Sequence, residues 1–436
     1  MSILPKYQPK FNQNIQITAD GGSLTVDSGL LTIADFMHLS HFDSLFDECV
    51  QFDDTRSNVL HPRKEVLKQV IYQQIAGYSC DDAADSLKDN RLFTSIMKKS
   101  TLASQPTISR MFTSMTDITV RLLSQLNQKY IDQYYATPEV TSVVIDLDST
   151  HFDTFGNQEG AAFNAHYGTY GFHPLLAYDA ITGTFLGAQL RTGNVYTSNH
   201  VVDFLEPILK HFLDDLHVMS IVIRADSGFA VPALYELCEK YGVKYIIRLK
   251  ANARLRANAE ELLQPHLKKV VCDFERHYDE FYYQAGSWNR NRRVIFVSER
   301  PAGELLFSHT WIVTNFEEVI PETIIQAYQK RGLMENYIKE AKLGFSMDKT
   351  DSSRFVTNEA RMMTSLLSYN IIQMMKILVF PKEMKKWTIG TIRTRLIKIS
   401  AKIVSHAGKL NIKLDETSVY LREFFKVAHS MTSFSL

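Results

Sequence analysis

From Ser142 to Leu249, apolar strand-like runs alternate with amphipathic helical segments, a pattern that leaves few folds open. Ser142-Val-Val-Ile-Asp-Leu-Asp148 reads as a buried strand that ends in acids. Two more strand-like runs follow, Pro174–Asp179 and Thr184–Arg191, joined by Ala180-Ile-Thr-Gly183. Then come a helix over Asn199–Phe212, a strand over Ile221–Asp226, a helix over Val231–Tyr241 and a strand over Val243–Leu249. The order is βββαβαβ. It predicts an α/β domain whose mixed sheet carries helices on its faces, and it matches the ribonuclease-H-like arrangement. Asp148 and Asp226 both fall at strand ends, where open α/β sheets place their sites.

The flanks differ from this middle. Residues 1–140 read as mostly helical after an extended start, Ile15–Val26, that turns at Asp20-Gly21-Gly22. Ser104 suits an N-cap and Pro106 the first turn of a short helix that presents Gln105, Thr107, Ser109 and Arg110. That helix would serve as the DNA-reading element of a helix-turn-helix; an ordinary bundle with a polar surface fits the same residues. Between about 254 and 316 the chain is extended and aromatic: Val270–Phe274, Glu280–Tyr283, Arg293–Val297 and Trp311–Asn315. The expectation is a β-rich insertion before the last helix of a catalytic domain spanning 141–345. Within it, Trp288 stands beside Arg290, Arg292 and Arg293, a group suited to base stacking and phosphate contact, or alternatively a buried hairpin tip. Residues 346–436 read as a helical C-terminal region with a basic surface, since Lys382–Lys426 holds eleven Lys/Arg against four Asp/Glu.

Composition narrows the classes. The 48 basic and 48 acidic residues cancel, so a general polyanion binder is excluded and any nucleic-acid contact must be local. Cys49, Cys80, Cys238 and Cys272 lie far apart with no C-x-x-C, which predicts neither a zinc motif nor a disulfide framework and fits a reducing cytoplasm. The N-terminus lacks an apolar signal core. The apolar run Met362–Phe380 carries Asn370, Gln373 and Lys376 and reads as a buried helix, with no membrane span. There is no glycine-rich phosphate loop, so no small-molecule cofactor is expected.

Chemistry concentrates near residue 330. Tyr328, Arg331, Glu335 and Lys342 are spaced Y-x2-R-x3-E-x6-K on a helix opened by Pro321 and Glu322 and closed by Gly344. On one continuous helix they share a stripe about 60° wide. The bland alternative is a solvated face with an Arg331/Glu335 pair. Asp148, Asp226 and Glu335 converge in a ribonuclease-H-like sheet, and three carboxylates at one point resist ionising unless a cation lies between them. Hard oxygen ligands select Mg²⁺ or Mn²⁺, and two such ions activate a water or 3′-hydroxyl against a phosphodiester. Arg331 and Lys342 would neutralise the phosphate, and Tyr328 would position it.

The chain resembles the DDE transposases of bacterial insertion sequences, in their YREK-signature class, and within it the insertion-sequence thirteen-eighty family. The resemblance rests on Asp148-Ser-Thr, Gly168-x2-Gly171-x-His-Pro-Leu-Leu176, Arg191-x-Gly-Asn194, Arg224-Ala-Asp226-Ser-Gly-Phe229 and the 328–342 signature, across residues 145–345. It implies cut-and-paste transposition. Terminal inverted repeats of double-stranded DNA are bound, strands are cut at the element's ends, and the freed 3′-hydroxyls attack target DNA. A homodimer or higher assembly on DNA, in the bacterial nucleoid, is implied with it. The family pattern favours Asp148 over Asp146 as first metal ligand, leaving Asp146 a supporting or strand-end role. His151 and Asp153 read as surface residues. Two rivals stand. Val143-Val-Ile-Asp146-Leu-Asp148-Ser-Thr150 also fits the opening of haloacid-dehalogenase-like phosphatases, with Asp146 as nucleophile and Asp148 as general acid. A DNA-binding protein derived from a transposase would use the helix-turn-helix and the basic tail without catalysis.

Overall fold

The apolar run that opens the central region forms strand β1, Ser142–Ser149, with Val143, Ile145 and Leu147 fully buried. In this computed structural model, which describes residues 6–434 except 53, 55–58 and 267–271, the chain divides into two compact units. One unit comprises residues 127–342 and 347–363, the other residues 1–126, 343–346 and 364–436.

In the first unit, three short strands follow β1: β2 (Phe152–Asp153), β3 (Ala162–Asn164) and β4 (Thr169–Phe172). They form a small sheet of their own in the order β2-β4-β3. The main sheet continues with β5 (Leu175–Asp179), β6 (Phe185–Gln189), helix α1 (Val201–Lys210), β7 (Ser220–Ala225), α2 (Pro232–Lys240) and β8 (Lys244–Leu249). After α3 (Ala253–Leu262) come β9 (Glu275–Tyr283), β10 (Arg292–Arg300) and β11 (Ser308–Thr314). These last three do not stand apart. β11 pairs antiparallel with β8, so the main sheet has eight strands in the order β9-β10-β11-β8-β7-β1-β5-β6. The sheet is mixed, with β1, β7 and β8 parallel and the rest antiparallel. The run expected at Val270–Phe274 starts outside the described residues, and pairing begins at Glu275.

Helix α4 (Pro321–Gln329) covers this extension. Its Ile324 and Ile325 pack on Ile246, Ile295, Val297 and Ile312 of β8, β10 and β11, an apolar contact that holds α4 against the sheet. Helix α5 (Gly332–Phe345) follows.

The other unit is helical at its start, with Leu30–Leu39, Phe42–Cys49, Arg63–Ala76, Ala83–Leu87, Arg91–Ile96 and Gln105–Thr113. The C-terminal segment, expected to be helical, has helices at Phe355–Leu378 and Leu421–Thr432 but also a pair of strands. Ala401–His406 and Lys409–Leu414 form a hairpin turned at Ala407-Gly408, and Leu24–Thr25 adds a third strand to it. Ser28 donates from both its N–H and its hydroxyl to the Ile399 carbonyl, so the two chain ends build one unit instead of two regions. Arg393 donates to the carbonyls of Ile75, Gln74 and Gly344, and Lys398 pairs with Asp27, which commits both cations to internal partners. Among the described residues no helix is long and apolar enough to cross a membrane.

Candidate active site

β1 and β7 run parallel, and their register pairs Leu147 with Ala225. Asp148 and Asp226 therefore leave neighbouring strands side by side, one residue further on. Asp148 Oδ1 accepts the N–H of Ser149 at 2.9 Å, and Asp226 Oδ1 accepts that of Gly228 at 2.9 Å, capping the turn Ser227–Phe229. Burial, opposed by Arg331 and the Ser149 N–H and helped by the charges of Asp226 and Glu335, leaves the Asp148 carboxyl pushed up to about 6. Asp226 and Glu335 thus both act on Asp148, with Glu335 on the exposed side of the first turn of α5.

Asp146, two residues earlier, is 1% exposed, and both of its oxygens are held at 2.7 Å by Nε and Nη2 of Arg224. Arg224 also donates to the Ala327 carbonyl at 2.6 Å, tying β1 and β7 to α4. An aspartate locked this way is a structural brace, which argues against a nucleophilic role and leaves Asp148 as the strand-end acid beside Asp226.

The 328–342 signature is not one helix. α4 stops at Gln329 and α5 starts at Gly332, with tight i→i−3 bonds from Arg331 N–H to Tyr328 and from Met334 N–H to Arg331, each 2.9 Å. Arg331 sits in the link, buried, and its Nη2 reaches Asp148 Oδ2 at 3.1 Å and the Leu147 carbonyl at 3.2 Å. The single stripe expected from helical spacing is therefore broken, and the break is what turns Arg331 inward onto Asp148. Tyr328 is partly buried against the Ile246 cluster; burial pushes its hydroxyl up, while Arg331 and Arg248 draw it down and Asp226 opposes them. Lys342 does not stand free. Its Nζ donates to the His151 carbonyl at 2.7 Å and lies over the Phe152 ring at 5.3 Å, and burial lowers its pKa. His151, expected on the surface, is 9% exposed.

Of the two arrangements its sequence leaves open, the insertion group takes the buried hairpin tip. Trp288 is 7% exposed, held edge-on between Tyr235 and Tyr283 with ring centroids 5.4 Å away in each case. Arg292 lies over its ring at 5.5 Å and grips Glu239 with two bonds of 2.9 and 3.0 Å. Arg293 pairs with Glu280 and donates to the Phe316 and Glu317 carbonyls. Arg290 is more open but also meets Glu239, at 2.7 Å. These are the strand-starting residues of β10, where a guanidinium buries its stem only if its charge is paired. A Trp this buried, with Arg292 over its ring, presents almost no surface to a base. In the other unit, Arg110 is exposed on the Gln105–Thr113 helix, whose Ile108, Met111 and Phe112 are buried; its Nη2 donates to Thr107 Oγ1 at 3.1 Å.

Three side chains near the acids escaped the sequence reading. Arg248 and Lys250 are exposed at the end of β8, the strand beside the one that delivers Asp226, and Lys250 Nζ meets the Tyr196 hydroxyl at 3.0 Å. Their i,i+2 spacing at a strand end was the available signal. Tyr167, in the turn between β3 and β4, had none.

The acids suit a hard divalent cation in donor chemistry: oxygen ligands only, with a mutual repulsion that a cation would relieve. Among the described residues no three His, Cys, Asp or Glu side chains stand together as a ready metal cage, and Arg331 is the cation nearest Asp148.

A family model described as transposase DDE domain, group 1, matches residues 7–435. Among solved structures, the fold is similar to a piggyBac transposase synaptic complex with hairpin DNA, at 14% identity and a TM-score of 0.46, covering 90% of this chain and 81% of that one. The NurA nuclease from Sulfolobus solfataricus aligns at 11% identity and a TM-score of 0.19, over 55% of this chain and 99% of that one. No curated protein matches the chain.

Proposed function

This chain belongs to the transposase DDE domain family, group 1, and we propose that it catalyses cut-and-paste DNA transposition with Asp148, Asp226 and Glu335 as its acids. The carrying observation is the register of β1 with β7, which sets Asp148 beside Asp226 while Glu335 lies close enough to raise the Asp148 carboxyl. The β5-β1-β7-β8 core with helices between its parallel strands supports the ribonuclease-H-like reading, and the signature supports the YREK class and the insertion-sequence thirteen-eighty family. The substrate is double-stranded DNA carrying terminal inverted repeats, followed by target DNA, handled by a homodimer or larger assembly.

The three carboxylates would hold two Mg²⁺ or Mn²⁺ ions, which supply charge neutralisation and a deprotonated attacking oxygen at the phosphodiester. The chain's own residues orient and grip. Arg331, held by the Leu147 carbonyl, keeps a positive charge beside Asp148 where a phosphate would arrive. Arg248 and Lys250 offer exposed cations at the neighbouring strand end, and Tyr328, packed on the Ile246 cluster, lies within the electrostatic reach of Arg331 and Arg248. Lys342 fixes the turn after β1 through the His151 carbonyl, so its contribution is to hold Asp148's strand end in place.

The test is strand cleavage of a labelled fragment bearing the element's own terminal repeat, in Mg²⁺ against EDTA, with wild type and Glu335→Gln. Loss of one acid lowers the cleavage rate by about two to three orders of magnitude while binding persists. Sequence-specific binding with no cleavage by wild type in Mg²⁺ or Mn²⁺ would leave a non-catalytic DNA-binding protein.

A further inference from the structure

Two glycine-bearing motifs, Gly168-x2-Gly171-x-His173-Pro and Arg191-x-Gly193-Asn194, take no part in the chemistry assigned above. Together they frame one side chain. Between β3 and β4, Asn164 Oδ1 accepts the N–H groups of His166 at 3.0 Å and Tyr167 at 3.3 Å, while its Nδ2 donates to the Gly193 carbonyl at 2.7 Å. Asn164 is 7% exposed, so these bonds hold the turn from within. Gly168 closes the turn at φ +70°, which favours glycine. A Cβ on Gly193 would collide with the carbonyl oxygens of Gly171 and Ala162, and one on Gly171 with the Phe152 carbonyl and the His151 ring. Arg191 completes the frame, donating from Nε to the His173 carbonyl at 2.9 Å and from Nη1 to the carbonyls of Thr197 and Asn199.

The framed residue is Tyr167. Its ring stacks on His151 at 4.9 Å and 28°, with His166 edge-on at 4.8 Å. His151 is buried, and neither ring nitrogen has a hydrogen-bond partner among the described residues; Nε2 lies 3.3 Å from Asp153 Oδ1 without hydrogen-bond geometry. It serves as an inert backing plate. Tyr167 itself is 43% exposed, and among the described residues its hydroxyl makes no hydrogen bond. The stack on His151, three residues past Asp148, sets the ring at the strand end that carries this acid; burial pushes the hydroxyl up, and the charges of Asp148 and Asp226 add to it.

We propose that Tyr167 is a substrate contact of the reaction: its hydroxyl donates a hydrogen bond to a non-bridging oxygen of the phosphodiester brought to Asp148 and Asp226. The assignment rests on the transposase reading above. A phosphate supplies only acceptors, and a rigidly backed phenol with an idle O–H beside the acids supplies the matching donor. The two motifs then have a shared purpose, since each fixes the turn that aims this hydroxyl.

The test is Tyr167→Phe, which removes the oxygen and keeps the ring on His151. Single-turnover cleavage of the labelled terminal-repeat DNA in Mg²⁺ should slow by about ten- to a hundredfold, with DNA binding in EDTA and the melting temperature unchanged. Stereopure phosphorothioates at the scissile position give a readout that a structural role would not move. Sulfur at the contacted oxygen should add a penalty in wild type that Tyr167→Phe lacks. Wild-type cleavage by Tyr167→Phe, or the same diastereomer penalty in both proteins, would overturn the proposal. Weaker binding with an unchanged rate at saturation would move the tyrosine away from the scissile phosphate and equally overturn it. If wild type binds but cleaves in neither Mg²⁺ nor Mn²⁺, the transposase reading fails first and this contact with it.

Discussion

Asp146 and Asp148 stand two residues apart on one strand, point the same way, and meet opposite fates. Asp146 faces a guanidinium that takes both its oxygens in a buried site, while Asp148 reaches the end of the strand, meets Arg331 through one oxygen and feels two more acids. Removing one partner of a buried pair leaves the other charged and unmatched. Asp146→Ala should therefore lower stability by about 3–5 kcal/mol, and Asp146→Ala with Arg224→Met should recover much of it. Urea unfolding of the single and double variants checks this; a single variant as stable as wild type would remove the bracing role. The sequence held half of this contrast. A hydrophobic run ending in D-x-D marks a strand end rich in acids, but only register says which acid meets Arg224. The same limit hid the fate of Trp288, Arg292 and Arg293. An aromatic among guanidiniums has one sequence signature whether it faces DNA or, as here, pairs with Glu239 and Glu280 inside the fold.

At the scale of elements, the five main-sheet strands between Ser142 and Leu249 were legible because buried strands are short, apolar and β-branched, and each was found within a few residues of its expected bounds. The break between α4 and α5 was not. No proline marks it and helical spacing continues through Lys330, Arg331 and Gly332; the low helix propensity of Gly332 is the one weak signal. The small β2-β4-β3 sheet escaped because strands of two to four residues show no periodicity. The C-terminal hairpin did carry a signal, Ala407-Gly408 between two runs, that the basic count obscured. Gly193 tests the small sheet's role. Gly193→Ala must displace two carbonyls, and overpacking of this kind costs about 1–3 kcal/mol. Gly286→Ala, where a Cβ meets nothing within 4 Å, should stay within about 0.5 kcal/mol of wild type. Thermal melts of the pair decide the matter; equal melting temperatures would mean the Gly193 contact yields without effect.

For the whole molecule, the balance of 48 positive and 48 negative side chains removes any long-range pull on DNA. Attraction must then be local, yet the candidate site concentrates carboxylates, which repel a phosphate. Arg331 offsets part of this charge but is itself committed to Asp148 and Leu147. Two divalent cations bound by the acids would reverse the sign of the site and would also relieve the repulsion that adds to burial in raising the Asp148 carboxyl. A ligand that binds the folded state alone stabilises it by mass action, by about 1.4 kcal/mol at ten times its dissociation constant. Mg²⁺ should therefore raise the melting temperature of the DNA-free protein by about 3–5 °C over EDTA at matched ionic strength. Asp226→Asn lowers the repulsion and removes a ligand together, so its melting temperature in EDTA should not fall, while its response to Mg²⁺ should disappear. Identical Mg²⁺ shifts in wild type and Asp226→Asn would place the cation elsewhere on the molecule. No shift in either would mean that the acids recruit metal only together with DNA, with the phosphate oxygens completing the ligand set that the protein alone leaves open.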